Sequence, residues 1–337
     1  MSKPKKHKTF DYGLLVVVMI LIIVGLYILY STSAYNGQNK FQDEFYYLKK
    51  QFFATSLGLA CMYAMANIDY HIGQRFAIPA YILSLILSLA VLFIGDEYNG
   101  SKRWLSFGPL SFQPSEFAKL AIILFLASII VKQGKKIKKM KTLLFIMLMV
   151  LPIVGLVGAS NLSTAIIILG IGVVLVFVAS PMYAQFVWIG VTGVGFLAIF
   201  LATASYRLER LAIWRNPEAY EKGYQTLQGL YAIGSGGLFG RGSGESIQKL
   251  GFVPEAQNDM IFAIICEELG LFGAVCVILM FLFMIWRFMV IANNAPDLFG
   301  TLLVVGVMGH IAIQVILNIA VVTNTIPNTG ISLPFIS

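Results

Sequence analysis

The chain has 337 residues, 58% of them hydrophobic and only 12% charged, with a formal net charge of +8 and a mean hydropathy of +0.82. A water-soluble domain of that length needs far more polar surface, which excludes an ordinary soluble enzyme and predicts an all-α, polytopic integral membrane protein. The positive charge is not accompanied by a recognised nucleic-acid motif, so no nucleic acid is expected as a partner; the lysine clusters read as juxtamembrane anchors attracted to anionic headgroups.

The apolar residues come in runs about as long as a hydrocarbon core of roughly 30 Å requires. In chain order they are Tyr12 to Tyr30, Phe52 to Ala66, Ala77 to Ile94, Phe117 to Val131 and Thr142 to Ala159. Ala165 to Ser180, Tyr183 to Ala204, Ile261 to Trp286 and Thr301 to Val322 follow, giving nine expected spans in one transmembrane domain, 1–337. Backbone polar groups in lipid must pair within their own segment, so these runs are read as helices. The first is long and lacks a small-residue cleavage site, which argues against a secretory signal. Cys61, Cys266 and Cys276 fall inside spans and read as small buried apolar residues, with neither a disulfide framework nor a metal spacing.

Lysine sets the orientation. Lys3, Lys5, Lys6 and Lys8 precede the first span, and Lys132, Lys135, Lys136, Lys138, Lys139 and Lys141 follow the fourth. Both segments belong on the cytoplasmic side, so the N-terminus is inside and the odd-numbered helices run outward. Two outward segments are then unusually furnished. Gly95 to Glu116 reads GDEYNGSKRWLSFGPLSFQPSE, with a turn expected at Asn99-Gly100. Ser205 to Met260 is the longest non-spanning stretch, and a loop of that length is uncommon unless functional. Its semi-apolar middle, Gln225 to Ile233, predicts a helix on or dipping into the membrane surface.

Several residues in these segments carry chemistry. Glu116 and Lys119 lie three apart at the mouth of the fourth span, on one helical face, either as an insertion-easing ion pair or as the lining of a polar cavity. Arg103 and Trp104 are either interfacial anchors or a cation and flat ring suited to a phosphate and a sugar face. The glycines Gly234, Gly236, Gly237, Gly240, Gly242 and Gly244 do not make a nucleotide loop, because GSGGLF ends in Phe239 and no G-K-[ST] follows; they permit tight turns and close backbone approach. Asp259 immediately precedes an apolar helix. It reads as a helix N-cap, worth about 1 kcal/mol, or as a general base whose pKa is raised by neighbours such as Met260 and Ile261. Of Glu267 and Glu268, inside the eighth span, at least one must face protein or water. His310 in the ninth reads as a hydrogen-bonded packing residue, since no second metal ligand lies nearby.

Taken together, KRWLSFGPLSFQPSEFAKL, GYQTLQGLYAIGSGGLFGRG, QKLGFVPEAQNDMIFAIICEELGLFG and NTIPNTGISLPFIS resemble the SEDS family of shape, elongation, division and sporulation proteins, FtsW, RodA and SpoVE. The segments occur in the family's order and, with the spans between them, cover nearly the whole chain. The stretch from Gln248 to Asp259 is most similar to the division members of low-GC Gram-positive bacteria. There are two departures. The chain has Ser160-Asn161-Leu162-Ser163-Thr164 where the family usually has Pro-Asp-Leu-Gly-Thr, so the role of that aspartate is not carried over to Asn161. It also stops at Ser337, where the family continues with Tyr-Gly-Gly-Ser-Ser; on the resemblance a tenth span is expected beyond it.

The resemblance implies a peptidoglycan glycosyltransferase of the cytoplasmic membrane that polymerises lipid II, the undecaprenyl-pyrophosphate-linked disaccharide peptide, on the outer face during cell division. It implies a class B penicillin-binding protein as transpeptidase partner, alongside other divisome membrane proteins. Its functional aspartate matches Asp259, and its motifs place Arg103, Trp104, Gln113, Ser115, Glu116, Lys119, Gln225, Lys249 and Glu255 among the substrate-binding residues. The leaving group is already good, so one base plus positive charge on the pyrophosphate suffices, unlike the two carboxylates of glycosidases. Arg103, Lys119 and Lys249 are the candidate cations, with room for a divalent metal (Mg or Mn) bridging pyrophosphate oxygens. Two rival readings stay open: a lipid II flippase, and a non-catalytic scaffold for a transpeptidase.

Overall fold

The structure is a computed structural model that describes residues 10–98, 101–107, 110–180 and 205–337, with isolated positions between 186 and 195. The described helices are α1 (Tyr12–Phe41), α2 (Tyr46–Ala66), α3 (His71–Ile94), α4 (Pro114–Gln133), α5 (Met140–Ser160) and α6 (Leu162–Ala179), followed by α7 (Ser205–Arg215), α8 (Tyr224–Gly236), α9 (Ile261–Asn293) and α10 (Leu298–Val322). Among the described residues seven helices are long and apolar enough to cross a membrane: α1, α3, α4, α5, α6, α9 and α10. The chain is thus an all-α polytopic membrane protein. The expected second span is α2, which buries none of its residues against the bundle. The expected seventh, Tyr183 to Ala204, lies largely outside the described residues.

The helix ends follow from capping chemistry. Asp11 accepts from the Leu14 N–H at 2.8 Å at the start of α1, and Asp297 accepts from Gly300 N–H at 2.8 Å at the start of α10. Arg287 of α9 donates to Asp11 at 2.7 Å, tying those two helix ends together. Pro114 opens α4, where its missing N–H costs nothing. That helix is the centre of the bundle, with 67% of its apolar stretch buried. One packed cluster joins α4, α5, α6 and α10 through residues such as Ile122, Leu126, Ile146, Ile168 and Leu302. A second joins α1, α8, α9 and α10 through Leu21, Ile28, Ala232, Ile264 and Val315.

The first furnished segment is more ordered than a loop. Strands β1 (Asp96–Tyr98), β2 (Ser101–Phe107) and β3 (Leu110–Phe112) form an antiparallel sheet, with Asp96 opposite Trp104 and Leu105 opposite Phe112. The expected Asn99-Gly100 turn lies outside the described residues. In the second segment the expected surface helix is α8, which lies against the first turns of α9: Gly229 stands beside Met260 and Ala263, and Gly236 beside the Cys266 carbonyl. That helix breaks at Gly270 (φ 68°, ψ −167°), and the Gly237–Gly240 turn fills the break. A Cβ on Gly240, itself at φ +82°, would stand 2.1 Å from the Glu268 carbonyl oxygen, so only glycine fits. The glycine cluster is therefore a packing device for a broken helix, as its failure as a nucleotide motif implied.

Candidate functional site

Asp259 lies at the end of an irregular segment held by the buried apolar residues Val253, Ala256 and Met260. The helix cap expected of Asp259 is not made: the N-cap of α9 is Met260, and no side chain caps it. The physical reason is that the carboxylate turns toward α8 instead, where Gln225 Nε2 donates to both oxygens, at 3.3 and 3.4 Å, and to the Pro254 carbonyl at 3.4 Å. Gln225 is itself oriented by Asn328, whose amide donates to Gln225 Oε1 at 3.2 Å. Gly330 (φ +64°) sits on the other flank, with its Cβ position 3.7 Å from Asp259 Oδ2. Burial pushes the carboxyl up to about 6, and the charge of Glu255 adds to the rise, while backbone N–H groups and Gln225 oppose it. Asp259 has no ion-pair partner among the described residues, in contrast to Asp11, Glu116, Glu267 and Glu268. Glu255 adopts φ 55° and accepts from the Asn258 amide.

A second constellation lies inside the bundle. Lys119 is 2% exposed, and its Nζ is 2.9 Å from Glu116 Oε2 and donates to Gln314 Oε1 at 3.1 Å. Glu116 is 55% exposed, so the pair is a buried cation tied to a solvated anion. His310 Nε2 shares the same Gln314 oxygen at 2.9 Å, a hydrogen-bonded packing role. Gln314 donates in turn to the Ser332 carbonyl at 3.1 Å, and Asn318, one turn further along α10, donates to Ile331 at 2.6 Å and to the backbone carbonyl of Asp259 at 2.9 Å. The segment 328–332 thus links the Lys119 network to Asp259, with the two amides on α10 about one helical turn, roughly 5–6 Å, apart.

The sheet brings Arg103 to the same region. Its Nε donates to the Ser160 carbonyl at 3.1 Å, and it lines a small pocket with Ser88, Pro114, Ser115 and Asn161. Burial, then the charge of Arg210, lowers its pKa. Gln113, the N-cap residue of α4, donates to Ser115 Oγ at 3.0 Å. Asn161 caps α6 by accepting from Thr164 N–H at 3.2 Å, a job an amide does as well as a carboxylate. Two residues on, Ser163 donates to the Thr329 carbonyl at 3.1 Å, connecting this pocket to the segment beside Asp259. Trp104, in the central strand β2 opposite Asp96, is 37% exposed.

Lys249 is tied to α1 and α9. All three of its ammonium donors are engaged, by Ser31 Oγ at 2.8 Å, the Gly244 carbonyl at 2.6 Å and Glu268 Oε1 at 2.8 Å, and the residue is buried. It neutralises a glutamate that is 0% exposed. Glu267, also buried, accepts from Ser246 Oγ, from the N–H groups of Ile247 at 3.2 Å and Gln248 at 3.4 Å, and lies 3.8 Å from Arg241. Both span glutamates face protein, as anchors for the loop returning toward Asp259.

Among the described residues no group of three or more His, Cys, Asp or Glu side chains converges. Asp259 and Glu255 are the carboxylates of this site, so a divalent cation there would take most of its ligands from substrate and water. Residues that sequence reasoning missed are Gln314, Asn318 and Asn328. The first two were signalled by their polarity at a four-residue spacing with His310 inside an otherwise apolar span.

Comparison with known proteins agrees with this fold. Residues 12–337 match the family described as Cell cycle protein, FtsW/RodA/SpoVE. The chain is 38% identical to stage V sporulation protein E of Bacillus subtilis over 97% of this chain and 91% of that one. It is 34% identical to a probable peptidoglycan glycosyltransferase FtsW of Trichlorobacter lovleyi, over 100% and 90% of the two chains. Among solved structures, a chain from a peptidoglycan synthase complex that coordinates polymerization and crosslinking superposes with a TM-score of 0.80 at 27% identity, covering 98% of this chain and 92% of that one. The rod shape determining protein RodA of Thermus thermophilus superposes at 0.69 and 27% identity, over 98% and 91%. A match spanning residues 12–337, carried by relatives of nearly the same length, places the chain in the FtsW/RodA/SpoVE family of cell cycle proteins.

Proposed function

We propose that this chain is a peptidoglycan glycosyltransferase that polymerises lipid II at the outer face of the cytoplasmic membrane during cell division, with Asp259 as general base. The observation that carries the mechanism is a partly buried carboxylate held by neutral amides instead of a cation, with its pKa pushed up to about 6. Such a group is ionised at neutral pH yet basic enough to take a proton, a combination that contributes typically 10²–10⁴-fold.

In the step, the acceptor 4-hydroxyl oxygen attacks the anomeric carbon of the donor. Its proton passes to the Asp259 carboxylate as the carbon–oxygen bond to the pyrophosphate breaks. Undecaprenyl pyrophosphate leaves with the electron pair, and a single displacement inverts an α-linked donor to a β-linkage. Lys119 and Arg103 supply positive charge for the pyrophosphate. Trp104, Gln113 and Ser115 belong to the substrate-facing rim, with Gln225 and Glu255 beside the base. The transpeptidase partner is a class B penicillin-binding protein, in keeping with the peptidoglycan synthase complex one of whose chains shares this fold.

Reconstitution with purified lipid II, scoring glycan polymer and lipid II flipping separately, tests the reading. Polymer from the wild-type protein, reduced by a factor on the order of a hundred or more in Asp259→Asn, is the expected result. Flipping without polymer would establish the transporter reading instead, and neither activity would leave a scaffold.

A further inference from the structure

Asn318 is fully buried in α10, 0% exposed, and its two amide hydrogens go to two backbone carbonyls from distant parts of the chain: Asp259 at 2.9 Å and Ile331 at 2.6 Å. Both partners are acceptors, so the chemistry fixes which end of the amide is nitrogen. Its own oxygen has no hydrogen-bond partner among the described residues. Burying an acceptor unsatisfied costs on the order of 1–3 kcal/mol, a cost that an apolar residue of similar size would avoid, so packing alone does not account for an amide here.

We infer that Asn318 is a positioning residue for the glycosyl-transfer step, clamping the Asp259 backbone to Ile331 so that the carboxylate is held in a closed ring. The ring runs from Asn318 to Asp259, across to Gln225, on to Asn328, and back through Gly330 to Ile331. Gln225 approaches the carboxylate from α8 and Gly330 from the C-terminal segment, so the side chain is set from both flanks. Within the ring Asn318 bonds to both the segment bearing the base and the segment bearing Asn328. Without it both segments are released, and a displacement of about 1 Å at a reacting group costs on the order of a hundredfold in rate.

The inference rests on Asp259 being the base, and the test separates the two. Asn318→Leu keeps the branched shape and removes both donors; Asn318→Ser is the second variant should the first fail to fold. Each is purified as the full chain, its thermal midpoint recorded, and its polymerisation of lipid II followed as kcat and KM from pH 5 to 8. Positioning predicts that kcat falls by at least about tenfold while KM moves less than about threefold. It also predicts that the acid limb of the kcat/KM profile moves to lower pH, because a released Asp259 gains water. Wild-type kcat in a folded variant would overturn the inference. So would a fall in kcat with the acid limb unmoved, which is the mark of a plain structural brace. Full activity of Asp259→Asn would instead overturn the base assignment itself.

Discussion

Replacing Asp259 with asparagine should stabilise the protein at neutral pH while abolishing its activity. The folded carboxyl titrates at about 6 against an ordinary 3.8, because burial disfavours the ion. Two pH units at 1.36 kcal/mol each give about 3 kcal/mol as the upper bound on what ionised Asp259 costs the fold. The sign follows from proton counting. Between about 4 and 6 the folded protein binds more protons than the unfolded chain, so stability falls as pH rises through that window. The penalty is absent below 3.8 and complete above about 6. Asparagine does not ionise, and Asp259 makes no helix cap that could be lost. Thermal unfolding in one detergent, followed from pH 4 to 8, should show Asp259→Asn above wild type at pH 7.5, with the gap closing toward pH 4. An equal or lower midpoint at pH 7.5, or a gap that ignores pH, would refute the reasoning.

Asymmetric effects are expected at the Glu116–Lys119 pair. Lys119→Met leaves a glutamate that is already 55% exposed, so it should fold and polymerise poorly, whereas Glu116→Gln strips a buried cation of its anion and should lower the melting temperature more. Exchanging the two residues would bury a carboxylate against the Gln314 oxygen that Lys119 now satisfies, so the swapped protein should lose folded yield, read by size-exclusion chromatography. Lys249→Met abandons a fully buried glutamate and should cost roughly 3–5 kcal/mol, most of it recovered in Lys249→Met with Glu268→Leu; no recovery in thermal melts would put Lys249 back at the substrate. Single cysteines at the exposed positions Ala219 and Lys136 report topology: in intact cells an impermeant thiol reagent should label the first and not the second, and the opposite pattern would invert the orientation.

Spans and furnished segments were legible in the sequence because lipid imposes one simple rule, long apolar runs, and α3 to α6, α9 and α10 follow it closely. The glycine cluster was legible as close approach, but its partner, the break at Gly270, was not, since Leu269-Gly270-Leu271 looks like uninterrupted helix. The sheet over Asp96 to Phe112 was missed because its strands of 3 to 7 residues carry little alternation. Asp259 stood out by its place before a span, yet its cap reading failed because a sequence cannot show that Gln225, 34 positions away, competes for the side chain. The partners of Lys249 were illegible for a similar reason. A lysine in a polar loop looks available until Glu268 and Ser31, from two other elements, are brought to it.

The central claim, that Asp259 takes the acceptor's proton, is tested most directly by the pH dependence of lipid II polymerisation in proteoliposomes. Wild-type kcat/KM should fall tenfold per unit below an apparent pKa near 6, where the carboxyl titrates, and Asp259→Asn should reduce polymer by a factor on the order of a hundred or more at every pH. A wild-type rate from folded Asp259→Asn protein, or the same acid limb persisting without the carboxylate, would contradict the account.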